Sequence, residues 1–416
     1  MGQGKRLFIV ALVVCVCSVR GVLAQNGLRD RERAFSASQE IASDLRKAHF
    51  HHGPFYLLST FQLSDIGYDS SFYVPTADRQ SNFRFGIQAP TRLYIVPQKK
   101  TIYSIDVRPE LSFFAGKGKH YVWGYQARVD AQYLLNHLYL DFYVQSADQL
   151  RADVAEIARL LTERGSVVGV SGELKYSSRT SMTFNAATAK TSFPLTAIQP
   201  DAPVQLLDRS THNYRLTVHH KTLPLTATFL AAEYSDYSFP TAVFKNSRRE
   251  YAGLGFVHDS GRTVTRFEAG EGKLDFFRPG EHDFQGVLGN LSSSRKFGRS
   301  TTATLATSRD VDFSIFAFNN YFIADRFSAA LAWDATRRLQ LTLQAALGRD
   351  LYETPVLGPH GFLKRRDVFT FPSIGFTYGF ARLRGGFDIG YVRRTSNFDV
   401  NLDRGIRILF RLSFTP

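Results

Sequence analysis

The chain has 416 residues, a formal net charge of +14 and a composition that is 44% hydrophobic, 14% aromatic and 21% charged. Beyond its first two dozen residues no stretch approaches the roughly 18 unbroken apolar residues of a spanning helix, and both cysteines, Cys15 and Cys17, lie in that leader. This excludes a helical membrane protein, and it excludes a disulfide framework, a thiol nucleophile or a thiolate metal site in the exported chain.

Residues 1–24 read as a signal peptide. Lys5 and Arg6 supply the basic start, Leu7 to Val16 the apolar run, and Val22-Leu23-Ala24 the small-residue cleavage site before Gln25. Removing the leader takes away Lys5, Arg6 and Arg20 but no acidic residue, so the mature chain stays basic.

Residues 25–52 are expected to form a periplasmic, partly helical N-terminal segment. Ser36 to Gln39 has the form of a capping box, and Phe35, Ile41, Leu45 and Ala48 follow at near-helical spacing. Such a helix would lie under a barrel or plug its periplasmic mouth; the alternative is a loose leader that only spaces the barrel from the cleavage site. His49, His51 and His52 cluster here, but with no cysteine and no second ligand set they read as structural histidines, and no metal or cofactor is expected.

From residue 53 to the end the pattern has period two. Tyr121, Trp123, Tyr125, Ala127, Val129, Ala131, Tyr133 and Leu135 share one face, with Gly124, Gln126, Arg128, Asp130 and Gln132 between them. After a tight turn at Asn136-His137 the pattern resumes with Leu138, Leu140, Phe142 and Val144 outward, which makes the pair a hairpin. Ser146 to Arg164 breaks the alternation and reads as either an outer-loop helix or a strand extended beyond the membrane. Further strands run through Val168 to Tyr176, Tyr214 to His220, Leu225 to Ala231, Leu339 to Leu347 and Leu383 to Tyr391. The last strand places Ile406, Ile408, Phe410, Leu412 and Phe414 opposite Arg407 and Arg411.

Tight connections at Asn136-His137, Ser177-Ser178, Thr222-Leu223 and Arg337 alternate with long ones at Asp65 to Gln80, Thr188 to Thr211 and Asp350 to Arg366. Short periplasmic turns and long outer loops give this alternation. The reading is an all-β, transmembrane antiparallel barrel of about 18 strands in the cell outer membrane. A water-soluble sandwich would have shorter strands and no reason to alternate its loops.

If the apolar face meets lipid, the other face meets the lumen. The candidate lumen-lining charges are Arg84, Arg128, Lys175, Arg266, Arg338, Arg384, Arg407 and Arg411 against Asp130, Asp141, Glu173, Glu268, Asp334 and Asp388. Fixed guanidinium groups in a water-filled barrel would concentrate anions, with acidic sugars or other anionic solutes as the natural candidates. Alternatively they form lumen salt bridges, or the excess sits at the rims against lipopolysaccharide phosphates. Nucleic acid is set aside as a partner, because an exported barrel carries no recognition motif for it.

Gly67-Tyr68-Asp69-Ser70-Ser71, Ser178-Arg179-Thr180-Ser181 and Tyr391-Val392-Arg393-Arg394-Thr395-Ser396-Asn397-Phe398 stand in an order that resembles the β-barrel porin type 2 proteins, which include barrels associated with exopolysaccharide export loci. The chain departs from that pattern at Ser71, where Asn is common, and at its end, where Phe414 is followed by Thr415-Pro416. The resemblance implies a barrel, an outer-membrane address and a part in moving or assembling surface polysaccharide, and it supplies no catalytic motif.

The first functional expectation is therefore a conduit or assembly partner for exopolysaccharide export, with periplasmic export proteins, lipid and lipopolysaccharide as partners. A general anion-selective porin for small solutes is the alternative. A barrel-borne hydrolase would require His258-Asp259 or His282-Asp283 to join a serine at the outer rim; the first pair falls in an expected periplasmic turn and the second near an outer loop. Gly169-Val170-Ser171-Gly172 lacks the spacing and the strand-to-helix turn of a nucleophile elbow. The chain is read as a non-enzyme.

Overall fold

The computed structural model describes residues 41, 43–70, 82–98, 100–116, 118–151, 161–194, 203–316, 318–358, 361–398 and 403–415. In chain order the strands are β1 (Phe50–His52), β2 (Phe55–Ser59), β3 (Phe61–Asp69), β4 (Asn82–Gln88), β5 (Thr91–Gln98), β6 (Thr101–Gly116) and β7 (Gly118–Leu134). There follow β8 (Leu138–Arg151), β9 (Leu161–Lys175), β10 (Thr180–Ser192), β11 (Arg209–Leu223), β12 (Thr226–Ser238), β13 (Ser247–Asp259) and β14 (Thr263–Phe276). The last are β15 (Phe284–Phe297), β16 (Thr301–Phe313), β17 (Tyr321–Asp334), β18 (Leu339–Gly358), β19 (Gly361–Phe380), β20 (Leu383–Ser396) and β21 (Asp403–Phe414).

Each of these pairs antiparallel with its neighbours, and β21 returns to β3 in register from Arg407↔Asp69 to Phe414↔Phe61. β2 and β3 act as one wall strand stepped at Thr60, and β4 and β5 as another stepped at Ala89-Pro90, since β3 pairs β4 while β2 pairs β5. The result is a closed antiparallel barrel of 18 strands. Short β1 lies on the edge of β2 that β21 leaves open beyond Phe414, pairing Phe50 with Leu57.

The connections at one end are all tight, at 99–100, 135–137, 176–179, 224–225, 260–262, 298–300, 335–338 and 381–382, and both ends of the barrel sequence lie there. That end is periplasmic, as in single-chain outer-membrane barrels. The opposite end carries the longer connections, including 70–81, 193–208, 239–246, 277–283 and 314–320.

Three expected loops are shorter than the sequence suggested, because ladder pairing continues into them. β3 runs to Asp69 against β21, and β10 and β11 run to Ser192 and from Arg209. Asp350 to Arg366 is a strand hairpin: after a register shift, Pro355↔Lys364 and Leu357↔Phe362 carry it outward, and Lys364 donates to Glu353 at 2.7 Å. The turn expected at Thr222-Leu223 falls at 224–225. Of Ser146 to Arg164, the flanks are strand, Ser146–Arg151 in β8 and Leu161–Arg164 in β9; the centre lies outside the described residues.

The lipid face is the expected apolar one. Trp123, Leu230, Leu254 and Val287 each leave more than half their surface exposed on the outer wall, with Trp333, Phe380 and Phe414 near the periplasmic rim. A helical turn covers residues 43–47, and Ile41 is buried with Leu45 against Tyr94, Ile102, Tyr56, Leu58, Val96 and Leu134. The segment therefore packs inside the periplasmic mouth; Phe35 and Ser36 to Gln39 lie outside the described residues.

Closure depends on a close approach at the seam. A Cβ on Gly67 would lie 2.0 Å from the Ile408 carbonyl oxygen and 3.2 Å from Leu409 Cα, so only glycine lets β3 lie against β21 there. Gly67→Val is expected to prevent closure. On a semi-native gel the folded wild type should shift its mobility on heating, while the variant should run at the unfolded position with or without heat.

Candidate functional site: the lumen

Strict alternation decides what faces inward. In β6 to β8, Ser104 pairs with Asp130, Asp106 with Arg128, and Gln132 with Asp141, all on the face opposite the lipid-exposed Tyr103, Val129 and Phe142. A β-strand cannot place Val129 in lipid without turning Arg128 and Asp130 toward the interior.

The inward charges join into networks. Arg128 donates to Asp130 and, at 3.3 Å, to Asp141, with its guanidinium 4.4 Å from the Tyr143 ring; Ser104 donates to Asp130 at 3.0 Å. Nearer the periplasm Arg92 bridges Asp106 at 2.5 Å and Asp44 at 2.9 Å, and Tyr94 Oη donates to the same Asp44 oxygen. That pair of contacts fixes the helical turn to the wall.

On the next part of the wall Arg215 reaches Glu233 at 2.9 Å and Glu268 at 2.7 Å, and Arg266 approaches Glu268 at 3.6 Å. Arg249 reaches Asp310 at 2.7 Å. On β17 to β20, Arg326 holds Asp350 at 2.5 Å, and Arg365 and Arg394 share Asp367 at 2.9 and 2.8 Å. The planar fork of arginine suits such shared carboxylates.

The outer loops fill one side of the lumen. Phe193, Val204 and Leu207 of the β10–β11 connection, Phe239 and Ala242 of the β12–β13 connection, and Ile315 of the β16–β17 connection bury against inward Phe229, Tyr251, Leu274 and Leu288. Lys245, wholly buried, donates from Nζ to the Ser314 carbonyl and so ties two of these loops together. Asp208 accepts from the Phe193 N–H at 2.7 Å, and burial pushes its carboxyl above the usual range against that bond and the pull of Arg209.

Arg84, Arg128, Asp130, Asp141, Glu173, Lys175, Arg266, Glu268, Arg384, Asp388, Arg407 and Arg411 all fall on the inward face by register. Asp334, opposite Gln340, stands at the periplasmic end. Arg338 is a correction: the turn takes residues 335–338, so its side chain leaves the strand pattern and lies 5.4 Å from the lipid-side ring of Phe380. Most of the predicted charges are grouped in pairs, among them Arg407 with Asp69 at 3.1 Å and Arg411 with Asp388 at 3.2 Å.

Sequence reading missed Arg92, Arg215, Arg249, Arg326, Arg365 and Arg394. Arg215 was within reach, since it sits between outward Tyr214 and Leu216 of an expected strand. Arg92 was hidden by the step at Ala89-Pro90, and Arg365 by the reading of its segment as a loop.

His258 and His282 lie at opposite ends of the barrel: His258 Nδ1 is 2.9 Å from Thr226 Oγ1 beside the 260–262 turn, while His282 is in the 277–283 outer loop. The two His-Asp pairs do not converge. His51 stacks on Tyr56 at 4.2 Å and His49 Nδ1 accepts from Ser59 N–H. Ser171 is an inward residue in the middle of β9.

No family model matches the sequence, and no curated protein matches it. Among solved structures the chain is similar to a BenF-like porin from Pseudomonas fluorescens Pf-5, with 10% identity, 86% of this chain and 99% of that chain covered, and a TM-score of 0.51. OpdK from Pseudomonas aeruginosa, in a structure with vanillate, covers 86% of this chain and 98% of its own at 10% identity and a TM-score of 0.49. OccK3 (OpdO) from the same species covers 86% and 95% at 12% identity and a TM-score of 0.47. This is the porin fold. The chain shares the closed antiparallel barrel fold of the BenF-like porin, and the likeness, at such low identity, extends to the fold and no further.

Lys245→Met should remove the buried donor that joins two inward loops while leaving the strand ladder intact. Losing a charged buried hydrogen bond costs about 1.5–3 kcal/mol, which acts on the loops and not on the barrel. Single-channel recordings should show larger or noisier conductance than wild type, with unchanged heat-modifiable mobility.

Proposed function

We propose that the barrel is a passive conduit for small anionic solutes, in place of the exopolysaccharide conduit or assembly role. One observation carries this reading. Arg84, Arg365, Arg384, Arg394, Arg407 and Arg411 line one flank of the lumen on β4 and β19 to β21, against Asp65, Asp69, Asp367 and Asp388.

The distribution of exposure separates structural pairs from solute-facing ones. Arg215, Arg249, Arg326 and Arg365 are nearly enclosed by their partners, whereas the Arg411 side chain is 46% exposed beside an Asp388 that is 36% exposed. A carboxylate or phosphate in transit can exchange places with Asp388 on Arg411 at little cost, because an exposed ion pair is worth only about 0–1 kcal/mol. The enclosed pairs cannot exchange without a large desolvation penalty.

The opposite flank supports a small solute over a polymer. Phe193, Val204, Leu207, Phe239, Ala242 and Ile315 of the outer loops bring apolar side chains against the inward faces of β12 to β15, which narrows the path there and favours a small solute.

The test is ion selectivity in a planar bilayer under a salt gradient. The reversal potential should lie toward that of the anion, and Arg407→Ser with Arg411→Ser should move it toward zero while the barrel stays folded. A cation-selective current, or a wild-type barrel that inserts yet passes no current, would overturn the proposal; in the second case binding of an acidic polysaccharide would become the next measurement.

A further inference from the structure

The outer wall carries a feature the solute path does not use. Across β15 to β21 the lipid-facing surface sinks into a concavity of about 920 Å³, almost entirely apolar. Its floor is a cross-strand row of small side chains, Ala329, Ala345 and Pro372, paired in register across β17, β18 and β19. Leu331, Leu343 and Ile374 wall it on the periplasmic side. Phe327 and Leu347, two residues outward of Ala329 and Ala345, stand exposed on the other side.

Above this groove the same strands turn cationic. Asp325 on β17 is flanked in register by Arg309 on β16 and Arg349 on β18, at 3.0 and 2.5 Å, and both guanidinium groups remain more than two-fifths exposed. Arg366, Arg393 and Arg404 point outward at the outer ends of β19, β20 and β21. Among the described residues the outward carboxylates of this arc are Asp325 and Glu353, and Glu353 is paired with Lys364.

The spacing fits the bilayer. From Ala329 to Asp325 is four residues, about 13 Å along a strand. From Trp333 to Asp325 is eight residues, about 26 Å along the strand and about 20 Å in height at the usual tilt, close to the roughly 25 Å apolar band of such barrels. The arginines therefore stand at the outer headgroup level and the groove in the hydrocarbon beneath them.

We propose that this flank is a docking site for a phosphorylated, multiply acylated glycolipid of the outer leaflet, acyl chains in the groove and phosphate on Arg309 and Arg349. Charge complementarity selects this occupant. A second copy of the chain presenting the same arc would set arginine against arginine. The neighbouring wall offers no equivalent, because at the outer ends of β12 to β14 Asp236, Glu250, Glu271 and Asp275 face outward with only Arg248 and Lys273 among the described cations. The bidentate fork of arginine is suited to phosphate, and the two guanidinium groups are already held in place by Asp325.

The test uses the full mature chain in detergent, titrated with bisphosphorylated lipid A, dephosphorylated lipid A and phosphatidylglycerol, and read by native mass spectrometry. Bisphosphorylated lipid A should be retained at one site per barrel, at least tenfold more tightly than either other lipid. Arg309→Gln with Arg349→Gln should lose that preference at least tenfold, Asp325→Asn should keep or tighten it, and Ala329→Leu should weaken it by filling the floor. All three should keep the heat-modifiable mobility of the wild type; should Ala329→Leu fail to assemble, the surface arginine variants decide. Unchanged preference in the double arginine variant, equal binding of all three lipids, or a lipid-free dimer abolished by Ala329→Leu would each overturn the proposal.

Discussion

The constraint on which everything else rests is that a backbone in hydrocarbon must satisfy its own hydrogen bonds. No water is present to pair an open edge, so a sheet spans a membrane only if its first and last strands meet. Here β21 and β3 meet, with Arg407 binding Asp69 on the lumen side and the Ser70 hydroxyl and N–H both reaching the Ile406 carbonyl at the outer end. The seam is irregular, with register shifts between Ser64 and Gly67 and between Phe410 and Leu412, and Asp65 at φ 54°. Bulges of this kind bend and twist a strand, and β1 covers the stretch of edge that β21 is too short to reach.

Closure then fixes the interior. Once alternate residues face lipid, the others are committed to a lumen too wide for them to fill as a core. The chain meets this in three ways around the circumference: a helical turn and arginine network on β5 to β8, inward loops with an apolar lining on β11 to β17, and a row of paired inward arginines on β19 to β21 and β4, of which Arg411 is the most exposed. Several ion pairs join strands that are not neighbours. Arg215 to Glu268 links β11 to β14 and Arg249 to Asp310 links β13 to β16, so they brace the curvature of the wall in addition to neutralising charge.

Much of this was legible in the sequence, because alternation is a local property. Trp123 out and Arg128 in, or Phe410 out and Arg411 in, follow from neighbours alone, and so does an even strand number near 18. The pairing of charges was not legible. Arg215 and Glu268 stand 53 residues apart, and only the register of the three intervening pairings brings them together. The inward fold of the outer loops left a trace in Phe193, Val204 and Leu207, which are too apolar for a segment in water, but nothing local said which wall they would cover. Asp350 to Arg366 went in the other direction: the span reads as a long connection, and the β18–β19 ladder continues through it with one register shift. Resemblance to the β-barrel porin type 2 proteins rests on the short phrases, and although Asp69 and Arg394 within them take part in lumen ion pairs, the phrases do not contain their partners Arg407 and Asp367.

The strand period also explains how one flank serves two environments. Adjacent residues on a strand point to opposite faces, so a dibasic step places one cation on each side of the wall. Arg365-Arg366 and Arg393-Arg394 are such steps. Arg365 and Arg394 turn inward and share Asp367, while Arg366 and Arg393 turn outward at the level of the headgroups. The inner members are nearly enclosed and hold the Asp367 carboxylate in the lumen wall; the outer members are exposed on the opposite face of the same strands. Replacing either dipeptide would therefore alter both faces of the wall together, whereas Arg407 and Arg411, each followed by an apolar lipid-facing residue, act on the lumen side alone. That difference separates two roles on strands that lie side by side.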